Sequence, residues 1–244
     1  MIKGLNRLST FMEKKVNSIK CGGLCVACLS PNAFNGLCQP CRDDLPVNRW
    51  SCRCCALPLA FASSELICGE CLKHPPAFSS SFIPWRYQYP LDGMISRYKY
   101  NGQRKFGRPL IADFTNLLEN ALHDGTVAVP EVLVPAPMDP LRRWQRGFNQ
   151  AQDIAETIGG DLNIPVATGL ARRVRRVRSQ RTLNREARLL NLRGVFEVTS
   201  AVPERVAIVD DVVTTGATAR VLASALREAG AREIQVWALA RTPG

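Results

Sequence analysis

Histidine is nearly missing from this 244-residue chain, with His74 and His123 as its two examples. A catalytic centre built on imidazole, or a zinc site of mixed histidine and cysteine ligands, therefore has little to draw on. His74 follows the last cysteine pair, where a spare ligand is conceivable, and His123 lies near the end of a helical pattern, where it would cap or be solvated. No apolar run approaches the ~18 residues of a membrane span. The first 20 residues, MIKGLNRLSTFMEKKVNSIK, form an amphipathic segment without the continuous apolar stretch of a signal peptide. A cytoplasmic protein with no membrane span is expected. Acidic residues are also scarce, 21 against 32 Lys and Arg, which leaves a net charge of +11.

The basic excess is concentrated. Residues 172–193, RRVRRVRSQRTLNREARLLNLR, hold nine arginines against one acid, Glu186. Such a field attracts phosphate, on nucleic acid or on a small metabolite. A solvated basic helix face is the plainer alternative. The interspersed Ser179, Gln180, Thr182 and Asn184 look more like a polar loop that closes over an anion.

Cysteine is absent after Cys71, and all ten cysteines fall between 21 and 71. Eight form Cys-x-x-Cys pairs: Cys25 with Cys28, Cys38 with Cys41, Cys52 with Cys55, and Cys68 with Cys71. Each pair sets two thiolates on one side of a tight turn, and two such turns enclose a tetrahedral Zn²⁺. Two structural four-cysteine zinc sites are expected, with no open position for catalysis. Pairing in order along the chain gives two stacked ribbons, and alternating pairing gives a cross-brace; shorter loops favour the former. Cys21 and Cys54 are left over. This segment is too short and polar to form a core alone, so metal binding would supply its folding energy.

Beyond the proline- and serine-rich stretch that follows Cys71, apolar patterns alternate between helix and strand periods. Leu110, Phe114, Leu117, Leu118 and Ala121 fall on one helical face, as do Ala151, Ile154, Ala155 and Ile158. Val132 to Val134, Val195 to Val198, Val206 to Val209 and Ile234 to Leu239 are strand-like. The pattern predicts an α/β fold with a mainly parallel twisted sheet flanked by helices. The expected division is an N-terminal segment at 1–20, a double zinc ribbon at 21–75 and the larger domain at 76–244.

Ligands of such sheets sit beyond the carboxyl ends of the strands. Two segments qualify, Pro135-Ala136-Pro137 and the stretch VAIVDDVVTTGAT at 206–218. In the second, two adjacent carboxylates, Asp210 and Asp211, end a buried strand, and Thr214, Thr215, Gly216, Ala217 and Thr218 lead into a helix. Small residues there let backbone N–H groups converge on an anion, with the helix dipole and hydroxyls in support. Carboxylates repel phosphate, so their own partners are hydroxyl donors or Mg²⁺. A sugar phosphate presents both kinds of group.

The stretch closely resembles the phosphoribosyl pyrophosphate (PRPP) motif of type I phosphoribosyltransferases. The resemblance implies that Asp210 and Asp211 hold the ribose hydroxyls, that Thr214 to Thr218 form the loop around the 5′-phosphate, and that Val212 and Val213 between them also belong to the PRPP-binding stretch. It extends over most of the chain through RYKYNGQRKFG (97–107), VPAP (134–137), RRWQRGFNQAQDIA (142–155) and RSQRTLNREARLLNLRGVF (178–196). Together with the zinc ribbons, these segments resemble the ComF family, ComFC- and GntX-like proteins associated with natural transformation and DNA utilisation. The resemblance places Ala136 in the pyrophosphate loop, Arg146 and Lys99 at the site, and Arg181 in a mobile catalytic loop.

It implies Mg²⁺-dependent phosphoribosyl transfer from PRPP to an unidentified acceptor. The alternative is a zinc-ribbon protein that binds single-stranded DNA or other nucleic acid, with a regulatory or vestigial PRPP site. Competence-machinery proteins are then possible partners.

Overall fold

The computed structural model describes residues 21–60, 66–100, 103–174 and 194–243. Its centre is a parallel sheet. In chain order the elements are β1 (Cys21–Gly23), β2 (Ala33–Phe34), α1 (Gln39–Asp43), α2 (Gly69–Lys73), β3 (Ser80–Phe82), β4 (Trp85–Arg86), α3 (Leu91–Lys99) and α4 (Arg104–His123). There follow β5 (Val132–Pro135), α5 (Pro140–Arg146), α6 (Gln150–Leu162), β6 (Ala171–Arg173), β7 (Phe196–Val198), β8 (Arg205–Val213), α7 (Ala217–Glu228) and β9 (Glu233–Arg241). The sheet runs β3–β9–β8–β5, with β4 also paired to β9, and every pairing is parallel.

Burial on both faces explains why β8 and β9 are almost uninterrupted apolar runs. Ala207 and Val209 of β8, with Trp237 and Leu239 of β9, join the core under α3, α4 and α6. Val206 and Ile208, with Ile234, Val236 and Ala238, face the opposite way into the core under α7. The two sets alternate as strand geometry requires. Trp237 is fully buried, and its indole N–H donates to Gln235 Oε1 at 3.0 Å.

The expected strand near 195–198 forms, but outside this sheet. Phe196–Val198 pairs antiparallel with Ala171–Arg173 as a separate two-stranded ribbon. The expected buried strand at 206–209 is longer in the structure. Its pairing with β9 continues to Val213 opposite Arg241, so both acids lie within the strand.

The cysteine-rich segment spreads over both faces of the sheet. Cys25 and Cys38 belong to the core around α4, and Arg42 Nε meets Asp113 of α4 at 2.8 Å. Cys52, Cys55, Cys68 and Cys71 belong to the core beneath α7. Backbone bonds fasten the edge strands to the same segment: Asn48 N–H donates to Pro84 O, and Ser81 N–H to Arg53 O.

Helices α3 and α4 meet closely where Tyr98 lies against Gly107. A Cβ at 107 would stand 2.5 Å from the Tyr98 ring. Tyr98 is fully buried and its hydroxyl donates to Asp153 Oδ2 at 2.7 Å, so the ring has little freedom to withdraw. Gly107→Ala is expected to destabilise the protein by about 1–3 kcal/mol, a typical overpacking cost. Thermal denaturation checks this, and an unchanged Tm would show that the ring yields.

Candidate functional site

Two carboxylates side by side near the end of a core strand need compensation for lost hydration and mutual repulsion. Asp211 is buried, and its Oδ1 lies 3.1 Å from Lys99 Nζ, at the last residue of α3. Asp210 keeps some exposure, and its Oδ1 accepts from the Asp211 backbone N–H at 2.8 Å. Burial, followed by the charge of Asp211, raises the Asp210 pKa to about 7; the Asp211 N–H, Lys99 and Arg146 act in the opposite direction. The acid pair, Lys99 and Arg146 thus share one electrostatic neighbourhood.

Beyond Val213 the chain turns sharply. Gly216 takes a left-handed conformation, φ 74°, where a side chain is disfavoured, and α7 begins at the next residue. No side chain caps that helix at Gly216, although Thr215 Oγ1 accepts from Ala217 N–H at 3.4 Å. Thr214 and Thr215 are exposed, and Ala217 and Thr218 are half-buried. The start of α7 therefore presents N–H groups and hydroxyls outward beside the acids. Val212 and Val213 keep their side chains buried and are paired with Ala240 and Arg241 of β9.

The turn after β5 lies alongside. Ala136 N–H donates to Val209 O at 2.8 Å, and Ala136 O accepts from Asn149 Nδ2 at 3.1 Å. Arg146 Nη1 donates to Gln150 Oε1 at 3.1 Å, and its guanidinium lies 5.1 Å from the Tyr100 ring centre. Gln150 is fully buried, and among the described residues none meets its Nε2. Arg181, and the loop at 178–181, lie outside the described residues.

Two contributors escaped the sequence reading. Arg241, at the end of β9, donates through Nη1 to the carbonyls of Val213 and Thr214, and Thr242 Oγ1 donates to Thr214 O at 3.1 Å. The available signal was an arginine ending an otherwise apolar strand, IQVWALAR. Tyr98 is the other: its contact with Asp153 braces the helix that ends in Lys99.

The cysteines gather as two sets, Cys25, Cys28, Cys38 and Cys41, and Cys52, Cys55, Cys68 and Cys71. Within each set the ligand atoms lie within 4.8 Å of one another. Sulfur separations of 3.5 Å (Cys28 to Cys38) and 3.6 Å (Cys55 to Cys68) compare with about 3.8 Å across a tetrahedron of zinc–sulfur bonds. Donor type, number and spacing fit structural zinc, with the sequential pairing. Cys54 stands outside both sets, its thiol 3.6 Å from Phe78 O. His74 is exposed and joins neither set.

A relative from Haemophilus influenzae, competence protein F, is 34% identical over 86% of this chain and 92% of its own. The chain belongs to the competence protein F (ComF) family. The DNA utilization protein YhgH of Escherichia coli K12 is 31% identical, over 90% of this ComF-family chain and 97% of its own. Competence protein ComFC of Streptococcus pneumoniae is 27% identical over 64% of this chain and 65% of its own. Among solved structures, a purine phosphoribosyltransferase from Pyrococcus horikoshii superposes with a TM-score of 0.36 and 17% identity, over 54% of this chain and 73% of that one. No model in a scan of protein families matches. Among the described residues, no helix is long and apolar enough to cross a membrane.

The raised pKa of Asp210 has a consequence for stability. Its folded value exceeds the ordinary 3.8, so the stability it contributes is present at low pH and lost as pH rises through about 7. Asp210→Asn keeps the acceptor for the Asp211 N–H and removes the charge. The variant should match the wild type below pH 3.8, then gain on it up to about pH 7. The plateau is expected on the order of 1–3 kcal/mol, allowing for solvent screening. Thermal denaturation across pH measures it; a variant less stable than wild type in alkaline solution would contradict the assignment.

Proposed function

We propose that this ComF-family chain binds PRPP with Mg²⁺ at the carboxyl end of β8 and transfers its phosphoribosyl group to an acceptor. The observation that carries this reading is the continuous run of Asp210, Asp211 and the Gly216 turn, with Lys99 already paired to the second acid. In this reading Asp210 and Asp211 accept hydrogen bonds from the ribose hydroxyls. The backbone N–H groups and hydroxyls of Thr214 to Thr218 take the 5′-phosphate. Arg146, Lys99 and the turn at Ala136 face the pyrophosphate, and Arg181 closes over it.

The bond from C1′ to the pyrophosphate oxygen breaks, and the leaving group departs with the electron pair. The acceptor then bonds to C1′ and loses a proton. Basic side chains around the departing pyrophosphate stabilise its charge. Oxygen donors of the acid pair suit Mg²⁺, which when bound supplies further neutralisation of the pyrophosphate. Residues 21–75 act as the metal-stabilised unit and 76–244 as the sugar-phosphate domain.

The names of the relatives, competence protein and DNA utilization protein, favour a second reading alongside the first. Here the ribbons and the basic run at 172–193 hold single-stranded nucleic acid near competence-machinery proteins, and the sugar-phosphate site is regulatory or vestigial.

PRPP with Mg²⁺ at about 100 times its Kd is expected to stabilise the wild type by about 2.7 kcal/mol, a rise of several degrees in Tm. Asp210→Asn combined with Asp211→Asn should abolish the rise. No rise in the wild type would contradict the first reading. Retention on single-stranded DNA that falls steeply with salt and survives the double substitution supports the second reading, and no retention at low salt rejects it. Pyrophosphate release in the presence of candidate acceptors would identify the reaction.

A further inference from the structure

Two buried arginines join the second four-cysteine set to the two sides of the Thr214–Thr218 turn. Arg241, 4% exposed, donates through Nε to Cys55 O at 3.1 Å and through Nη1 to the carbonyls of Val213 and Thr214. One guanidinium therefore spans the backbone of a zinc knuckle and the entry to the turn. Arg220, 7% exposed, lies in the first turn of α7, where its own N–H donates to Gly216 O. Its Nη1 donates to His74 O at 2.7 Å, and its Nη2 lies 3.7 Å from Cys71 Sγ. The exit from the turn is thus tied to the other half of the same set.

A buried guanidinium is tolerated only while its donors are met, and its planar fork fixes where the acceptors stand. Displacing the Cys55 carbonyl, or the Cys71 sulfur, leaves donors unsatisfied or pulls the turn with them. The first four-cysteine set packs instead beneath α4 on the other face of the sheet, tied there through Arg42 and Asp113.

We propose that the Cys52, Cys55, Cys68 and Cys71 site sets the geometry of the Thr214–Thr218 turn through Arg241 and Arg220, so that metal occupancy and sugar-phosphate binding strengthen one another. Arg241 and Arg220 are positioning residues. The coupling rests on the sugar-phosphate reading of the turn, and by thermodynamic linkage it runs both ways.

Ribose 5-phosphate serves as the probe, on the full chain loaded with zinc at both sites. Cysteine alkylation is followed peptide by peptide by mass spectrometry in the presence of a chelator. Saturating ligand should slow alkylation of Cys52, Cys55, Cys68 and Cys71 by about tenfold and leave Cys25, Cys28, Cys38 and Cys41 unchanged. Equal slowing of both sets means general stabilisation and overturns the proposal, as does no slowing once binding has been shown. Arg241→Lys keeps the charge but cannot span both carbonyls. Unable to reach Cys55 O together with Val213 O and Thr214 O, it should bind ribose 5-phosphate more weakly and lose the selective slowing, while the first set reacts as in the wild type. Full selective slowing in that variant overturns the role of Arg241.

A ligand-free arm separates this proposal from the functional one. During graded chelation, hydrogen exchange at the Arg220 and Thr242 amides, bonded to Gly216 O and Val213 O on either side of the turn, should rise in step with alkylation of the second set. Protection that persists after the second metal has left overturns the coupling, whether or not a sugar phosphate binds. Failure of ribose 5-phosphate to bind the wild type counts against the functional reading, and the exchange arm then decides the coupling.

Discussion

Asp210 and Asp211 stand side by side near the end of a strand that is, after Arg205, otherwise apolar. Neighbouring carboxylates there repel one another and lose hydration, and the surrounding structure answers both costs. Lys99 comes from the end of α3 to pair with Asp211, and Tyr98, one residue earlier, holds that helix through Asp153. Among the described residues Asp210 has no such ion pair; the Asp211 N–H, Lys99 and Arg146 support its charge only in part, and its pKa rises. An arrangement that leaves one acid uncompensated is costly for folding alone. It becomes reasonable where hydroxyl donors or a divalent cation complete the pair.

The cysteine-rich segment has a mechanical role that its motif alone does not reveal. One four-cysteine set packs under each face of the sheet, and the chain between them borders the β3 and β4 edge. Strands of two or three residues have few ladder bonds of their own, so backbone bonds to the cysteine-rich segment substitute for length. The same packing brings the Cys55 backbone within reach of Arg241, whose guanidinium also holds the Val213 and Thr214 carbonyls.

Much of this was legible in the chain because the signals were local. Cys-x-x-Cys spacing identified the ligands, and sequential pairing followed from loop length. The period-two core of β8 and β9, and the acid pair followed by Thr-Thr-Gly, read directly as strand, carboxylates and turn. The features that escaped depend on distant neighbours. Arg241 is remote in sequence from both Cys55 and Thr214, and only the parallel register of β8 with β9 brings Val213 opposite it. Phe196–Val198 shows strand character, yet an apolar run does not say which sheet receives it, and it pairs with Ala171–Arg173 instead. That Lys99 pairs with Asp211, at 3.1 Å, follows from where α3 ends, which no local pattern states.

The central claim is that the acid pair recognises vicinal hydroxyls while the adjoining turn holds a phosphate. Its most direct test is calorimetric comparison of ribose 5-phosphate with 2-deoxyribose 5-phosphate, which share the phosphate and differ by one hydroxyl. A carboxylate left without its donor should weaken binding of the deoxy sugar by about 10- to 100-fold, as expected for a lost hydrogen bond to a charged group. Equal affinity for the two sugars would contradict the account.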